Sequence, residues 1–89
     1  MLSMEDSNKT FSEKGVLSVR LKNLIALASA LASQQSQDVA SCVKESLRAG
    51  ATREEIMEVL RLAIVMAEIP AKQYTEIVQS AVKGFDAED

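Results

Sequence analysis

Four segments of the chain carry apolar residues at helical spacing, and polar or glycine-containing stretches separate them. The first segment follows Ser18, whose hydroxyl can cap a helix. The spacing predicts a helix that ends near Ser33. Because few polar residues follow Asn23, we expect this helix to be buried on more than one side. Its apolar positions are Leu21, Leu24, Ile25, Ala28, Leu31 and Ala32.

The second segment predicts a helix from about Gln37 to Ala49. Ser33 or Ser36 can cap it, and Asp38 would lie in its first turn, where a negative charge interacts favourably with the helix dipole. The predicted inner face consists of Val39, Cys42, Val43 and Leu47.

A tight turn and a third helix come next. Gly50 can take the left-handed conformation that ends a helix. Thr52 and Glu55 have the spacing of a capping box, in which each side chain bonds the backbone of the other residue. The third helix is predicted from Thr52 to about Ala67. Its apolar positions are Ile56, Leu60, Ala63, Ile64 and Ala67.

The fourth segment predicts a helix from Pro70 or Ala71 to about Lys83. Proline suits the first turn of a helix, and Gly84 is a natural stop. Phe85 is expected to fold back against the last turn, and residues 86–89 to form a solvated acidic tail. Since no segment shows the alternation of a strand, the predicted fold is all-α with about four main helices.

The length of 89 residues predicts one domain. We expect a flexible N-terminal arm over residues 1–14, a helical domain over 15–85 and the acidic tail over 86–89. With one Tyr, two Phe and no Trp, bulky anchors for a core are scarce. Apolar helices in so small a chain often find cover in another subunit, so we predict a homo-oligomer.

The charge distribution narrows the possible partners. The net charge is −3 and the ten basic residues are spread along the chain, which argues against nucleic acid. The apolar runs are too short to span a bilayer, and the N-terminus lacks the apolar core of a signal peptide. One cysteine cannot form an internal disulfide. These features favour a cytoplasmic protein without a membrane or nucleic-acid partner.

Three motifs, in this order and spacing, resemble the carboxymuconolactone decarboxylase and alkylhydroperoxidase D-like family. LKNLIALASALA is similar to the family's KELIALAVALA. SLRAGATREEIMEVLRLA is similar to ALxAGATxEEIxEVLxLA, and VMAEIPA to VMGGxPA. The resemblance implies a small helical domain over about residues 15–85 and assembly into trimers or hexamers.

The resemblance also implies where an active site would lie. Peroxidase members use a Cys-x-x-Cys pair, a His four residues later and a Glu on the preceding helix. Gln35 and Asp38 stand at the positions of the pair, Cys42 at the position of the His and Asn23 at that of the Glu. The decarboxylase branch usually keeps the His, which Cys42 also replaces. The standard peroxidase mechanism therefore lacks its groups.

For Cys42 and for Asp38, two interpretations each stay open. Cys42 is a buried, inert thiol or a reactive one, and the nearby Asp38 would oppose a thiolate. Asp38 is either a general base or a residue placed for the helix dipole. Asn23 and Gln35 are expected to be relics of the family pocket that hydrogen-bond each other or water, and Arg20 or Arg53 is expected to reach the site only from a neighbouring subunit.

Two functional hypotheses follow. The first is an oligomeric binding or structural module without the family's thiol peroxidase chemistry. The second is an oxidoreductase or lyase with a shifted site, in which Cys42 and Asp38 act on a small organic acid, lactone or peroxide. Neither hypothesis includes a cofactor or a metal.

Overall fold

The computed structural model describes residues 15–88, and this range folds into four helices. They are α1 (Val19–Ala32), α2 (Ser36–Arg48), α3 (Arg53–Ala67) and α4 (Ala71–Asp86). No strand occurs in the described range, so the predicted all-α fold is confirmed. The predicted arm, residues 1–14, lies outside it, as does Asp89. Within residues 15–88, every helix is too short or too polar to cross a bilayer.

The core forms where α2 packs against α1 and α4, and where α1 packs against α3. Each helix contributes aliphatic side chains to the core. The largest fully buried side chain is that of Tyr74. Such burial stabilises a domain by roughly 1.5–3 kcal/mol for each large apolar side chain. The fully buried apolar residues are Leu27, Leu31, Val39, Val43, Ile56, Leu60, Tyr74 and Val78.

Helix α1 begins as predicted, and part of its surface stays exposed. The Ser18 hydroxyl accepts a hydrogen bond of 3.1 Å from the backbone N–H of Leu21. Leu24, Leu27, Ala30 and Leu31 are buried. However, Leu21 is 36% exposed and Ile25 is 51% exposed. Helix α1 packs against both α2 and α3, so it is buried on more than one side as predicted, while the face with Leu21 and Ile25 stays exposed within residues 15–88.

The connection from α1 to α2 is a Schellman turn built on a glutamine. Gln34 takes the left-handed conformation, with φ at 54°. The Gln34 N–H bonds the Leu31 carbonyl and the Gln35 N–H bonds the Ala30 carbonyl, each at 3.0 Å. The predicted caps, Ser33 and Ser36, are wrong, because Gln35 occupies the N-cap of α2 without a side-chain capping bond.

The turn from α2 to α3 follows the sequence prediction closely. Gly50 has φ at 99°, and the N–H groups of Gly50 and Ala51 satisfy the last carbonyls of α2. Thr52 and Glu55 form the predicted capping box. The Glu55 carboxylate also accepts a hydrogen bond of 2.5 Å from Arg20 on α1. The Thr52 backbone N–H, and secondarily Arg20, lower the pKa of Glu55.

Helix α4 runs past Gly84, so the predicted stop at Lys83 and Gly84 is wrong. Gly84 stays helical, and Phe85 is part of the helix with its ring packed on the core. The Lys44 side chain passes so close to Gly84 that a Cβ there would lie 3.3 Å from its Nζ. Packing of this last turn outweighs the local tendency of glycine to end a helix.

Residues 86–88 are exposed as predicted, and two acidic residues among them, Asp86 and Glu88, are also ion-paired. Asp86 pairs with Arg53 at the start of α3. Glu88 pairs with Arg48 at 2.8 Å and with Lys44 at 3.8 Å. The Arg48 guanidinium also lies over the Phe85 ring, 5.9 Å from its centroid.

Candidate functional site

An open pocket of about 290 Å³ lies between α1 and α2, at the positions that the sequence identified. Helix α1 forms one wall with small side chains, and the first two turns of α2 form the other. Gln35, Asp38 and Cys42 all line it. The full lining is Ala26, Ser29, Ala30, Gln35, Asp38, Ser41 and Cys42.

Helical spacing explains why Asp38 and Cys42 share this pocket. They are four residues apart on α2, so their side chains lie one above the other on one face. The Asp38 backbone N–H donates to the Gln35 carbonyl at 2.9 Å, which fixes the first turn. Cys42 is half-buried and Asp38 is exposed at the rim. The thiol is therefore neither sealed in the core nor fully in water.

The surroundings of Cys42 favour the neutral thiol. Partial burial raises the pKa of Cys42, and the charges of Asp38 and Glu45 raise it further. A thiolate is the nucleophilic form of cysteine, and reactive cysteines usually have a lowered pKa. No lysine or arginine lines the pocket to favour the thiolate.

Asn23 does not join the other three residues. It is half-buried on α1, and its amide nitrogen donates a 2.9 Å hydrogen bond to the Val19 carbonyl of the same helix. It is not part of the pocket lining. The prediction that Asn23 and Gln35 line one pocket is wrong, because Asn23 bonds its own backbone instead.

The two arginines considered as carboxylate-binding groups already have partners within the chain. Arg20 pairs with Glu55 at 2.5 Å, and Arg53 pairs with Asp86. Across residues 15–88, no cluster of three or more histidine, cysteine, aspartate or glutamate residues could hold a metal ion.

Sequence reasoning missed Ser29 and Ser41, whose hydroxyls add donors and acceptors to the pocket. Ser41 lies three residues after Asp38, so the helical period of α2 contained a signal for it. Ser29 lies on α1, and only the packing of α1 on α2 brings it to the site. No local spacing could have identified it.

A second groove lies on the other side of α1, against α3, and it is apolar throughout. It also has a volume of about 290 Å³. Leu62 and Met66 line it and are 48% and 78% exposed, and Val65 beside them is 75% exposed. We call this region the α1–α3 groove. Its lining is Ala28, Ala32, Val59, Leu62, Ala63, Met66 and Ala67.

Comparison with known proteins assigns the chain to a family. A search of curated proteins and a search of solved structures each return no match. The model of the carboxymuconolactone decarboxylase family matches residues 4–78, which include α1, α2, α3 and about half of α4. This match covers most of the 89 residues, and it agrees with the four helices and with the motifs of the sequence. The chain therefore belongs to the carboxymuconolactone decarboxylase family.

Proposed function

We propose that this chain is a homo-oligomeric binding or structural module of its family, without thiol peroxidase chemistry. The observation that carries the proposal is the composition of the α1–α2 pocket. It holds one thiol, Cys42, beside a carboxylate, Asp38, where the family's peroxidases have a second thiol. The family frame is retained while the groups that activate and regenerate a thiolate are replaced.

The chemistry of peroxide reduction explains why this composition matters. A thiolate attacks the O–O bond, becomes a sulfenic acid and releases an alcohol. A second thiol must then displace water from the sulfenic acid to form a disulfide. The chain has one cysteine and no histidine, so it supplies neither the resolving thiol nor the usual base.

The α1–α3 groove supports the oligomeric part of the proposal. Single exposed apolar residues are ordinary on a monomer, but contiguous apolar patches usually mark an interaction site. Here Leu62 and Met66 of the groove and Val65 next to them in the chain are exposed, and Ile25 of α1 is exposed as well. The trimers or hexamers of the family are consistent with cover from further copies of the chain.

A second candidate function is an oxidoreductase or lyase with a shifted site. The observation in its favour is that the pocket is open and brings Gln35, Asp38 and Cys42 together. In that case Asp38 would act as the base and Cys42 as the nucleophile, on a small organic acid, lactone or peroxide.

Hydroperoxide turnover separates the two candidates. The purified chain is mixed with an organic hydroperoxide and dithiothreitol, and hydroperoxide loss is followed against dithiothreitol alone. We expect no turnover above that background. Turnover that Cys42→Ala abolishes would favour the shifted enzyme, and turnover that survives Cys42→Ala would refute every role given to this thiol.

A variant with the family residues restored serves as the positive control. Gln35→Cys, Asp38→Cys, Cys42→His and Asn23→Glu together rebuild the family pattern on this frame. The new thiol at position 35 would lie at the N-terminus of α2, which lowers a thiol pKa. Measurable turnover in this variant, with none in the natural chain, would locate the difference in the replaced side chains.

A further inference from the structure

The charge of the α1–α2 pocket restricts the class of small molecule that it can hold. Asp38 is the one side chain of its lining that carries a formal charge at neutral pH. The other polar groups are an amide, two hydroxyls and a thiol, and all of these are neutral. The pocket therefore presents a single negative charge, and no positive group of the lining balances it.

The Asp38 carboxylate is available to a ligand. It is exposed, and within residues 15–88 its side chain has no hydrogen bond or ion pair. Glu45, the other acid that acts on Cys42, differs in this respect, since it pairs with Arg48 at 2.5 Å. The ion pairs of the described chain use Glu45, Glu55, Glu58, Asp86 and Glu88 as their acids.

The negative charge of Asp38 also acts on the Cys42 thiol in the pocket. After burial, the negative charge of Asp38 is the largest cause of the raised pKa of Cys42. Any group that becomes negative beside Cys42 meets this repulsion, while a positive group meets attraction.

We propose that the α1–α2 pocket binds a small organic cation, such as a primary or quaternary amine, and disfavours organic acids. The inference rests on the proposed binding function and names its ligand class. A primary ammonium group would pair with Asp38 and donate to the Gln35 amide oxygen or the Ser41 hydroxyl, whereas a quaternary ammonium group would pair with Asp38 alone. The apolar body would lie against Ala26 and Ala30 of α1.

The size of the pocket sets the size of this ligand. Its volume of about 290 Å³ is just below the roughly 300–1,000 Å³ that is typical of ligand-binding clefts. An amine with a few carbon atoms fits this space. A preference for cations contradicts the second hypothesis from the sequence, which included a small organic acid as ligand. The pocket lining contains no cationic side chain that could bind a carboxylate.

Charge-matched thiol reagents test the sign of the field at Cys42. One reagent is 2-(trimethylammonium)ethyl methanethiosulfonate and the other is 2-sulfonatoethyl methanethiosulfonate. Each transfers its thioalkyl group to the thiolate and releases methanesulfinate. Each rate constant is divided by that for 2-mercaptoethanol, a neutral thiol. The ratio of the two normalised rates removes the effect of burial that both reagents share.

We expect the cationic reagent to react about three to ten times faster with Cys42 after this correction, as for unit charges about 8 Å apart in water that attract in one case and repel in the other. Asp38→Asn should bring the ratio close to one, and Asp38→Glu should keep it. Glu58→Gln, on α3, changes the net charge equally and should leave the ratio unchanged. A ratio of one or less, equal effects of Asp38→Asn and Glu58→Gln, or no reaction with either reagent would overturn the proposal.

Binding is measured directly by titrating the ¹⁵N-labelled chain with n-butylammonium chloride and, separately, with sodium butyrate. The amide signals of Ser29, Asp38 and Ser41 should shift and saturate with the cation alone, and Asp38→Asn should abolish the effect. Preferential shifts with butyrate would refute the cation assignment. These outcomes do not depend on hydroperoxide turnover, so failure here and failure of the proposed function are distinguishable.

Discussion

The two grooves that flank α1 have the same size but opposite chemistry. Both have a volume of about 290 Å³. The α1–α2 pocket contains a carboxylate, a thiol, an amide and two hydroxyls, whereas the α1–α3 groove is lined by aliphatic side chains and methionine. Helix α1 contributes mainly alanine to both. The partner helix therefore decides what each groove can bind.

The difference assigns different kinds of partner to the two grooves. Apolar surface gains free energy when it leaves water, whatever covers it, so the α1–α3 groove suits a large apolar partner such as a second copy. Polar groups require matched hydrogen bonds and charges, so the α1–α2 pocket suits a small molecule of defined chemistry. Under the two proposals, α1 separates a groove for assembly from a pocket for ligand binding.

The largest expected effect is on the free energy of unfolding, and it comes from truncating the buried side of α1, the helix that both grooves share. Leu27 is fully buried, while Ile25 two residues earlier is 51% exposed. Leu27→Ala should lower the free energy of unfolding by about 2–5 kcal/mol, because it leaves a cavity in the core. Urea unfolding followed by circular dichroism measures the loss.

Ile25→Ala is the matched control for that truncation. It should cost far less in dilute solution, and any further loss should grow with protein concentration if a second copy covers this face. Equal losses for Leu27→Ala and Ile25→Ala at every concentration would contradict the distinction between a buried and an uncovered side of α1.

The second effect concerns assembly through the α1–α3 groove. Leu62→Asp with Met66→Asp places two charges on the groove, so burial against another copy would require their desolvation. We expect the oligomer to dissociate to monomers with the helical circular dichroism retained. Light scattering coupled to size exclusion measures the mass.

The polar groove supplies the control for this experiment. Ser29→Asp with Ser41→Asp adds the same two charges to the α1–α2 pocket and should leave the mass unchanged. A natural chain that is already monomeric, or dissociation by both double variants, would remove the distinction between an assembly groove and a ligand pocket.

The smallest expected effect is the contribution of Cys42, in the α1–α2 pocket, to the pH dependence of the free energy of unfolding. Burial and Asp38 raise the pKa of Cys42 in the folded chain, so folding favours the neutral thiol. This contribution to stability is complete below the pKa of the unfolded thiol and is lost as the pH rises through the folded value. The free energy of unfolding should therefore fall across this alkaline range.

Two variants isolate this contribution. Cys42→Ser should flatten the alkaline fall, and Asp38→Asn should shift the titration of Cys42 to lower pH, as followed by its alkylation with neutral iodoacetamide. An alkylation profile that Asp38→Asn leaves unmoved would show that Asp38 does not act on the thiol.

Local sequence signals predicted the parts of the fold that depend on neighbouring residues. Thr52 and Glu55 bond each other's backbone across one turn, so their spacing was sufficient to predict the capping box. Gly50 adopts the left-handed conformation for the same local reason. Gln35, Asp38 and Cys42 were predicted to share a site from the family resemblance, and the helical period of α2 explains why they line one pocket.

The failed predictions have two causes, which are contacts between distant residues at Gly84 and the choice among local hydrogen bonds at Asn23 and Gln34. Gly84 stays helical because Phe85 packs on the core and the acids around it pair with arginines of α2 and α3. Asn23 donates to the Val19 carbonyl one turn back, and its neighbours in the sequence did not reveal this bond. Gln34 takes a left-handed conformation that glycine usually adopts at this position, because the Schellman hydrogen bonds at the end of α1 require it.

The ion pairs around the end of α4 make the molecule unevenly sensitive to ionic strength. Lys44, Arg48 and Arg53 hold Asp86 and Glu88 through pairs that remain partly in contact with solvent. Added salt weakens such exposed pairs, with a screening length of about 10 Å at 0.1 M, but leaves apolar packing intact. We therefore expect concentrated salt to loosen the last turn of α4 first, while the side chains around Tyr74 stay packed.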